Sequence, residues 1–144
     1  MNTAKYAAIP LALGMALAAT TVSTSAAASP VSHLHHTLIA RTVTLTNGDN
    51  GRTVTVARDD VVSVRLTGIR DQGNTWVWSA PQATARDVLQ RTGGGTSPVG
   101  DATTVFRAVG NGKSDVIAYR HCVAGPGHVC SHAVVPWKAA VVVR

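Results

Sequence analysis

Histidine and cysteine side chains, the residues best suited to metal binding and redox chemistry, cluster near one point of this 144-residue chain. The two cysteines, Cys122 and Cys130, are flanked by His121, His128 and His132. This spacing matches none of the usual zinc patterns, and in an oxidising compartment a pair of thiols more often forms a disulfide. We expect a Cys122–Cys130 disulfide that closes a small loop and stabilises the fold by roughly 2 to 3 kcal/mol. A metal site formed by the same residues is the alternative.

Catalytic chemistry has few candidate residues. The chain has 7 acidic residues, all of them aspartate. The clustered histidines could form an acid–base site with Asp71 or Asp101, but no Ser-His-Asp or metal motif is present. The glycine-rich run from Thr92 to Asp101 lacks the lysine and the strand-loop-helix context of a phosphate-binding loop, so we predict a flexible loop or hairpin end there. We therefore expect no enzyme activity, no cofactor and no metal.

The N-terminal residues are predicted to be a secretory signal peptide. Lys5 precedes an apolar run from Ala7 to Ala19, and three alanines at 26–28 provide a cleavage site just before Ser29. The run is too short and too rich in alanine for a membrane anchor, and no cysteine follows it for lipid attachment. We expect residues 1–28 to be removed and the mature protein to be secreted and extracellular.

The distribution of positive charge argues against a nucleic-acid partner. The formal net charge is +6, but the arginines are spread singly along the chain. Runs of basic residues interleaved with aromatic residues, which are typical of nucleic-acid surfaces, are missing. We expect no nucleic-acid partner, no membrane partner after signal removal, and only weak attraction to acidic proteins or anionic cell-wall polymers.

The remaining residues are predicted to be a short tail followed by one domain of β-strands. Residues 29–38, with His33, His35 and His36, show no periodicity and are expected to form a flexible tail. In residues 39–144, apolar and polar side chains alternate in short segments that are separated by polar turns. About seven or eight such strands predict an all-β, immunoglobulin-like antiparallel sandwich, which we expect to be a monomer. The predicted core is Val54, Val56, Val62, Val64, Leu66, Trp76, Trp78, Leu89, Phe106, Trp137, Val141 and Val143.

The order of the segments resembles the chagasin-like inhibitors of papain-type cysteine peptidases. The resemblance rests on GRTVTV at 51–56, DVVSVRL at 60–66, GNTW at 73–76, GDATTVF at 100–106, Tyr119-Arg120 and the final alternating strand. It covers nearly the whole domain, from about Val43 to Val143. It implies an immunoglobulin-like sandwich that presents three loops at one end, and these loops enter the active-site cleft of the peptidase.

The resemblance also assigns the loops. The first falls on residues 69–73, where Gly73 is retained but Asp71 and Gln72 replace a Thr-Thr pair; the second falls on about 94–103. The third starts at Arg120, which is the retained residue of an Arg-Pro-Trp motif, and continues into the cysteine loop. The partner-binding residues so implied are Arg70, Asp71, Gln72, Gly73, Asn74, Gly95, Gly100, Asp101, Arg120 and His121.

The sequence thus predicts a secreted domain that binds and inhibits a papain-type cysteine peptidase without doing chemistry. The alternative is a non-inhibitory binding or envelope-associated module on the same fold, which would use its basic surface. Because Asp71 would approach the catalytic thiolate of the peptidase, replacing Asp71 and Gln72 with threonines should strengthen inhibition.

Overall fold

Ten strands in two sheets make up residues 39–144, the part of the chain that the computed structural model describes. The predicted signal peptide 1–28 and tail 29–38, with its histidines, lie outside the described residues. Within the described part, no helix has the length and hydropathy needed to cross a membrane. The all-β, immunoglobulin-like sandwich predicted from the alternating pattern is confirmed, but in the described residues it has ten strands instead of seven or eight, and two of its strand pairings are parallel rather than antiparallel.

The strands are β1 Thr42–Leu45, β2 Thr53–Val56, β3 Val61–Leu66, β4 Ile69–Asp71, β5 Asn74–Trp78, β6 Gln82–Ala83, β7 Leu89–Thr96, β8 Ala102–Ala108, β9 Gly112–Val123 and β10 Val135–Val143. The first sheet has the strand order β1-β3-β8-β7, and the second has the order β2-β10-β9-β5-β4, with β6 also paired to β9. A short 3₁₀ turn, Asn47–Asp49, joins β1 to β2.

The core lies between the sheets because alternate side chains of each strand point to the same face. Every predicted core residue except Trp76 is buried. Small side chains accompany the large ones: Ala118 of β9 lies directly opposite Trp137 of β10, and both are buried. The indole N–H of Trp137 donates a hydrogen bond to the carbonyl oxygen of Thr46, 3.2 Å away, so the buried donor has an acceptor.

Three segments that the sequence analysis left outside strands form strands in the structure. Residues 69–71 are β4, and Gln82–Ala83 pair with β9 as β6. The glycine run is not a flexible loop over its whole length, because residues 93–95 pair with β8 as part of β7. Backbone pairing needs no side chain, so a regular neighbouring strand can recruit glycines despite their poor β propensity. Only the turn at 97–101 remains as the hairpin end.

Candidate functional site

Three connections meet at one end of the sandwich, which we call the loop end. They are the β3–β5 segment 67–74, the β7–β8 turn 97–101 and the β9–β10 loop 124–134. The N–H of Gly68 donates to the Asp101 carboxylate at 2.8 Å, which joins the first connection to the second. The Asn74 side chain joins the first to the third, since it donates to the Val129 carbonyl oxygen at 3.2 Å and accepts from the Gly125 N–H at 3.3 Å. The structure therefore brings together the three loops that the sequence analysis assigned to a partner.

The first connection is a rigid hairpin rather than an open loop. Strands β4 and β5 pair from Ile69–Trp76 to Asp71–Asn74, and Gln72 and Gly73 form the two-residue turn. Both turn residues have positive φ, +45° and +81°, which is the requirement of a type I′ hairpin turn. The hairpin holds Arg70, Asp71 and Gln72 exposed to solvent at its tip. A shallow groove of about 460 Å³ separates this tip from Gly125 and Pro126 of the cysteine loop.

The second connection contributes residues that hold the loop end together. Gly100 is buried, has φ +94°, and accepts a hydrogen bond from the Trp78 N–H at 3.0 Å. A Cβ atom at this position would lie 2.9 Å from the carbonyl oxygen of Trp76. Gly100 was predicted to contact a partner, and this is corrected: it offers no surface, because it is packed against β5. Asp101 is half-buried and caps Gly68, whereas Gly95 is exposed on β7.

The third connection contains the predicted disulfide. Cys122 and Cys130 are bonded, and they bridge the end of β9 to the middle of the loop. The three neighbouring histidines are exposed, and His128 lies against Gly73 at the hairpin tip. Among residues 39–144, no group of three or more histidine, cysteine or acidic side chains is arranged to hold a metal ion.

Trp76 is more exposed to solvent than Trp78, because the first sheet ends before it covers Trp76. The Leu66–Ala102 pair is the last pair of β3 and β8. Trp78 lies beneath this end, is 6% exposed, and donates its indole N–H to the Thr67 carbonyl oxygen at 3.0 Å. Trp76 is one row further out, so it is only partly buried. The prediction that Trp76 belongs to the core is therefore wrong: strand alternation gives the face, but the length of the opposite sheet determines the burial.

The uncovered end of the inner face of the second sheet forms a largely apolar surface around Arg120, which we call the inner ledge. Ile69 lies opposite Trp76, and Trp76 lies opposite Cys122 on its other side. Arg120 lies between Trp78 on β5 and Val135 on β10. Ile69 is 46% exposed and Val135 is 37% exposed. The inner ledge is defined as Ile69, Trp76, Arg120, Cys122 and Val135.

Arg120 is held by both tryptophans. Its guanidinium carbon lies 5.4 Å from the ring centroid of Trp76 and 5.4 Å from that of Trp78. Both distances are within the range of cation–π attraction. Arg120 was predicted to contact a partner, but its stacking on the two tryptophans was not predicted. The sequence feature that points to this stacking is the period of two in Trp76-Val77-Trp78, which puts both rings on one face of the sheet. His121, the next residue along β9, points to the opposite face and is exposed.

Comparison with protein-family models and with curated protein sequences gives no match for this chain. Comparison with solved structures gives several matches. The cysteine protease inhibitor EhICP2 from Entamoeba histolytica matches with a TM-score of 0.52 and 13% sequence identity, over 73% of this chain and 97% of the inhibitor. This chain has the chagasin-like fold. At such low sequence identity the match establishes the fold alone.

Two further solved structures match with lower TM-scores. PbICP-C, solved in complex with falcipain-2, matches with a TM-score of 0.44 and 12% identity, over 74% of this chain and 93% of that chain. The inclusion body protein PixA from Burkholderia cenocepacia matches with a TM-score of 0.47 and 10% identity, over 73% of this chain and 96% of that chain.

Proposed function

We propose that this chain is exported and that its loop end binds and inhibits a cysteine peptidase of the papain type. The observation that carries the proposal is the convergence of the three connections at one end of a sandwich whose fold is that of a cysteine protease inhibitor. Internal hydrogen bonds and the disulfide fix these connections before a partner arrives. A preorganised binding surface loses little conformational freedom on association, which favours affinity.

The loop end offers contacts but no reactive group. The exposed tip residues Arg70, Asp71 and Gln72 could hydrogen-bond along a cleft, and the inner ledge offers apolar area beside them. Inhibition would therefore consist of blocking the cleft rather than of trapping the enzyme covalently. The direct test is to measure the hydrolysis of a fluorogenic peptide by papain, and by cysteine peptidases secreted into the same medium, with increasing concentrations of the purified protein. Slowing that competes with substrate is expected; unchanged rates with every peptidase would contradict the proposal.

The backbone of the first loop argues against replacing both Asp71 and Gln72 with threonine. Gln72 has φ +45°, and a β-branched threonine is strained in that left-handed region, so the double replacement by threonines would disturb the turn. Asp71→Thr alone avoids this problem, because Asp71 belongs to β4. The variant removes a carboxylate that would otherwise approach the anionic thiolate, and we expect about tenfold tighter inhibition.

Asp87→Thr is the matched control for Asp71→Thr. Asp87 is exposed, and in the described part of the chain it forms no ion pair. It lies beside Gly110 in the β8–β9 turn, at the end of the strands away from 97–101. The control variant should inhibit as the unaltered protein does. Equal effects of the two replacements would mean that general charge, and not the hairpin tip, governs binding.

The alternative function, attachment to anionic envelope polymers through the basic surface, predicts a different result. Binding would then follow net charge, would weaken with salt, and would not depend on the loop end. Retention on isolated cell-wall polymer by the Asp71→Thr and Asp87→Thr variants alike, without inhibition of any peptidase, would favour this alternative.

A further inference from the structure

Arg120 is a cation whose charge has no counterpart among the described residues. The ion pairs of residues 39–144 are Arg52–Asp49, Arg107–Asp59 and the contacts of Lys113 and Lys138 with Asp115. Two further aspartates are used as backbone caps: Asp60 accepts from the N–H groups of Arg41 and Ala57, and Asp101 accepts from that of Gly68. The remaining aspartates, Asp71 and Asp87, are not within ion-pair distance of Arg120.

The guanidinium of Arg120 also has unused hydrogen-bonding capacity. Its Nε is buried and, within residues 39–144, has no hydrogen-bond partner. In the same part of the chain none of its other N–H groups donates to a protein acceptor. Buried polar groups in folded proteins are nearly always paired, and an arginine carries five N–H donors. An unpaired, half-buried guanidinium therefore calls for an acceptor that is not part of this fold.

The surroundings of Arg120 fix its orientation. Trp76 and Trp78 hold the guanidinium from two positions on β5, and Val135 flanks it on β10. Since the side chain is already held, binding an anion would require little further ordering. Burial against aromatic rings also lowers the local dielectric constant, which strengthens the attraction between the guanidinium and an incoming negative charge.

We propose that Arg120, held between Trp76 and Trp78, is a receptor for a carboxylate group of the protein partner. One guanidinium matches one carboxylate in charge and in planar geometry. The exposed Ile69 and Val135 on the same ledge favour an apolar residue next to the carboxylate. The group is either an acidic side chain or a C-terminal carboxylate. This inference deepens the proposed function, on which its biological meaning rests, by naming the chemistry that the loop end recognises.

The test uses small peptides, so that it does not depend on any peptidase. The probes are N-acetyl-Asp-Leu amide, which carries a side-chain carboxylate; N-acetyl-Val-Leu with a free C-terminus; and neutral N-acetyl-Asn-Leu amide. Each is titrated into the purified ¹⁵N-labelled protein while the Arg120 Nε–H and the tryptophan indole resonances are followed by NMR. We expect saturable shifts with one or both anionic peptides and not with the neutral one; the anionic peptide that shifts identifies the kind of carboxylate.

Three variants make the result specific to Arg120. Arg120→Gln should weaken binding of the responding peptide about tenfold or more, because a charge-assisted hydrogen-bond pair is lost. Arg86→Gln is the matched control, since Arg86 is exposed and, among the described side chains, forms neither an ion pair nor a hydrogen bond; it should bind as the unaltered protein does. Arg120→Lys identifies the Arg120 resonance, so the measurement on the unaltered protein stands even if Arg120→Gln folds poorly.

The inference is overturned if the neutral peptide shifts the Arg120 and tryptophan resonances as much as the anionic ones, or if no peptide shifts them. Failure of the proposed function would look different: carboxylate binding would persist, while no peptidase would be inhibited. Inhibition that is unchanged by Arg120→Gln, together with absent peptide binding, would remove this inference and leave the proposed function intact.

Discussion

Gly95 and Gly100 are separated by five positions, yet the structure gives them opposite roles. Gly95 lies in β7, is exposed, and no described atom lies within 4 Å of the position of a Cβ. Gly100 combines φ +94° with close approach to the backbone of β5. Both were predicted to be partner-binding loop residues, because a glycine in a sequence does not reveal its φ or its neighbours. At the residue scale, then, identity alone does not distinguish surface from packing.

We predict that Gly100→Ala destabilises the protein by about 2 kcal/mol, since a side chain there is strained in φ and contacts the Trp76 carbonyl oxygen. Gly95→Ala should leave stability within about 0.5 kcal/mol of the unaltered value, because it fills open space on a strand. Urea unfolding followed by tryptophan fluorescence measures both. Equal stabilities for the two variants would show that the β7–β8 turn does not hold the backbone of β5.

At the scale of elements, the loop end consists of one hairpin with a connection on either side. The β4–β5 hairpin is the central member, since Gly68 bonds to the β7–β8 turn and Asn74 bonds to the cysteine loop. The disulfide adds a covalent tie from β9 to the same loop. The cysteine loop is therefore stabilised in two independent ways. The hydrogen bonds of Asn74 act in the native state, whereas the disulfide acts mainly by limiting the conformational freedom of the unfolded chain.

Replacing both Cys122 and Cys130 with serine should lower the free energy of unfolding by about 2.5 kcal/mol, because the unfolded chain regains the freedom of a short loop. Asn74→Ala keeps the disulfide and removes only the two hydrogen bonds of the side chain, so it should cost about 1 kcal/mol. Denaturant titration of each protein checks the order of the two effects. A serine variant as stable as the unaltered protein would mean that the disulfide does not stabilise this fold.

At the scale of the whole molecule, acidic groups are few and most serve the fold. The pKa of Asp60 is lowered by hydrogen bonds from the N–H groups of Ala57 and Arg41, and that of Asp115 is lowered by Lys138. The pKa of Asp49 is lowered by Arg52 and by the Thr46 N–H. A carboxyl group whose pKa is lower in the folded than in the unfolded state contributes stability above the unfolded value. That contribution is lost as the pH falls through 3.8 toward the lowered folded value.

The protein should therefore lose thermal stability steadily as the pH is lowered from about 5 to about 2.5. Asp60→Asn should reduce this pH dependence, because the amide cannot change charge, and it should also lower stability near neutral pH by about 2 kcal/mol. Asp87→Asn, which changes an exposed aspartate without an ion pair in residues 39–144, should follow the unaltered profile. Melting temperatures measured by circular dichroism across this pH range test the predicted pH dependence of each protein. A profile for Asp60→Asn as steep as that of the unaltered protein would exclude Asp60 as a source of acid sensitivity.

Much of the fold could be predicted because each strand carries its own signal. Period-two alternation identified β3, β5, β8 and β10, and it assigned the correct face to their buried residues. The short strands β4 and β6 were missed, since three and two residues are too few for a periodic pattern. The glycines of β7 were missed because pairing with β8 overrides their local preference.

The sequence by itself determined that the chain forms a β-sandwich and that its two cysteines are paired, because alternation, turn residues and cysteine count are local properties. The tertiary structure alone decided which of these residues meet. Trp76 leaves the core because the opposite sheet ends at Leu66, and Gly100 is buried because its turn packs against β5. Arg120 acquires two aromatic neighbours from β5, a strand more than 40 positions earlier in the chain. Contacts between distant parts of a chain depend on where sheets end and how loops pack, and no local pattern encodes that.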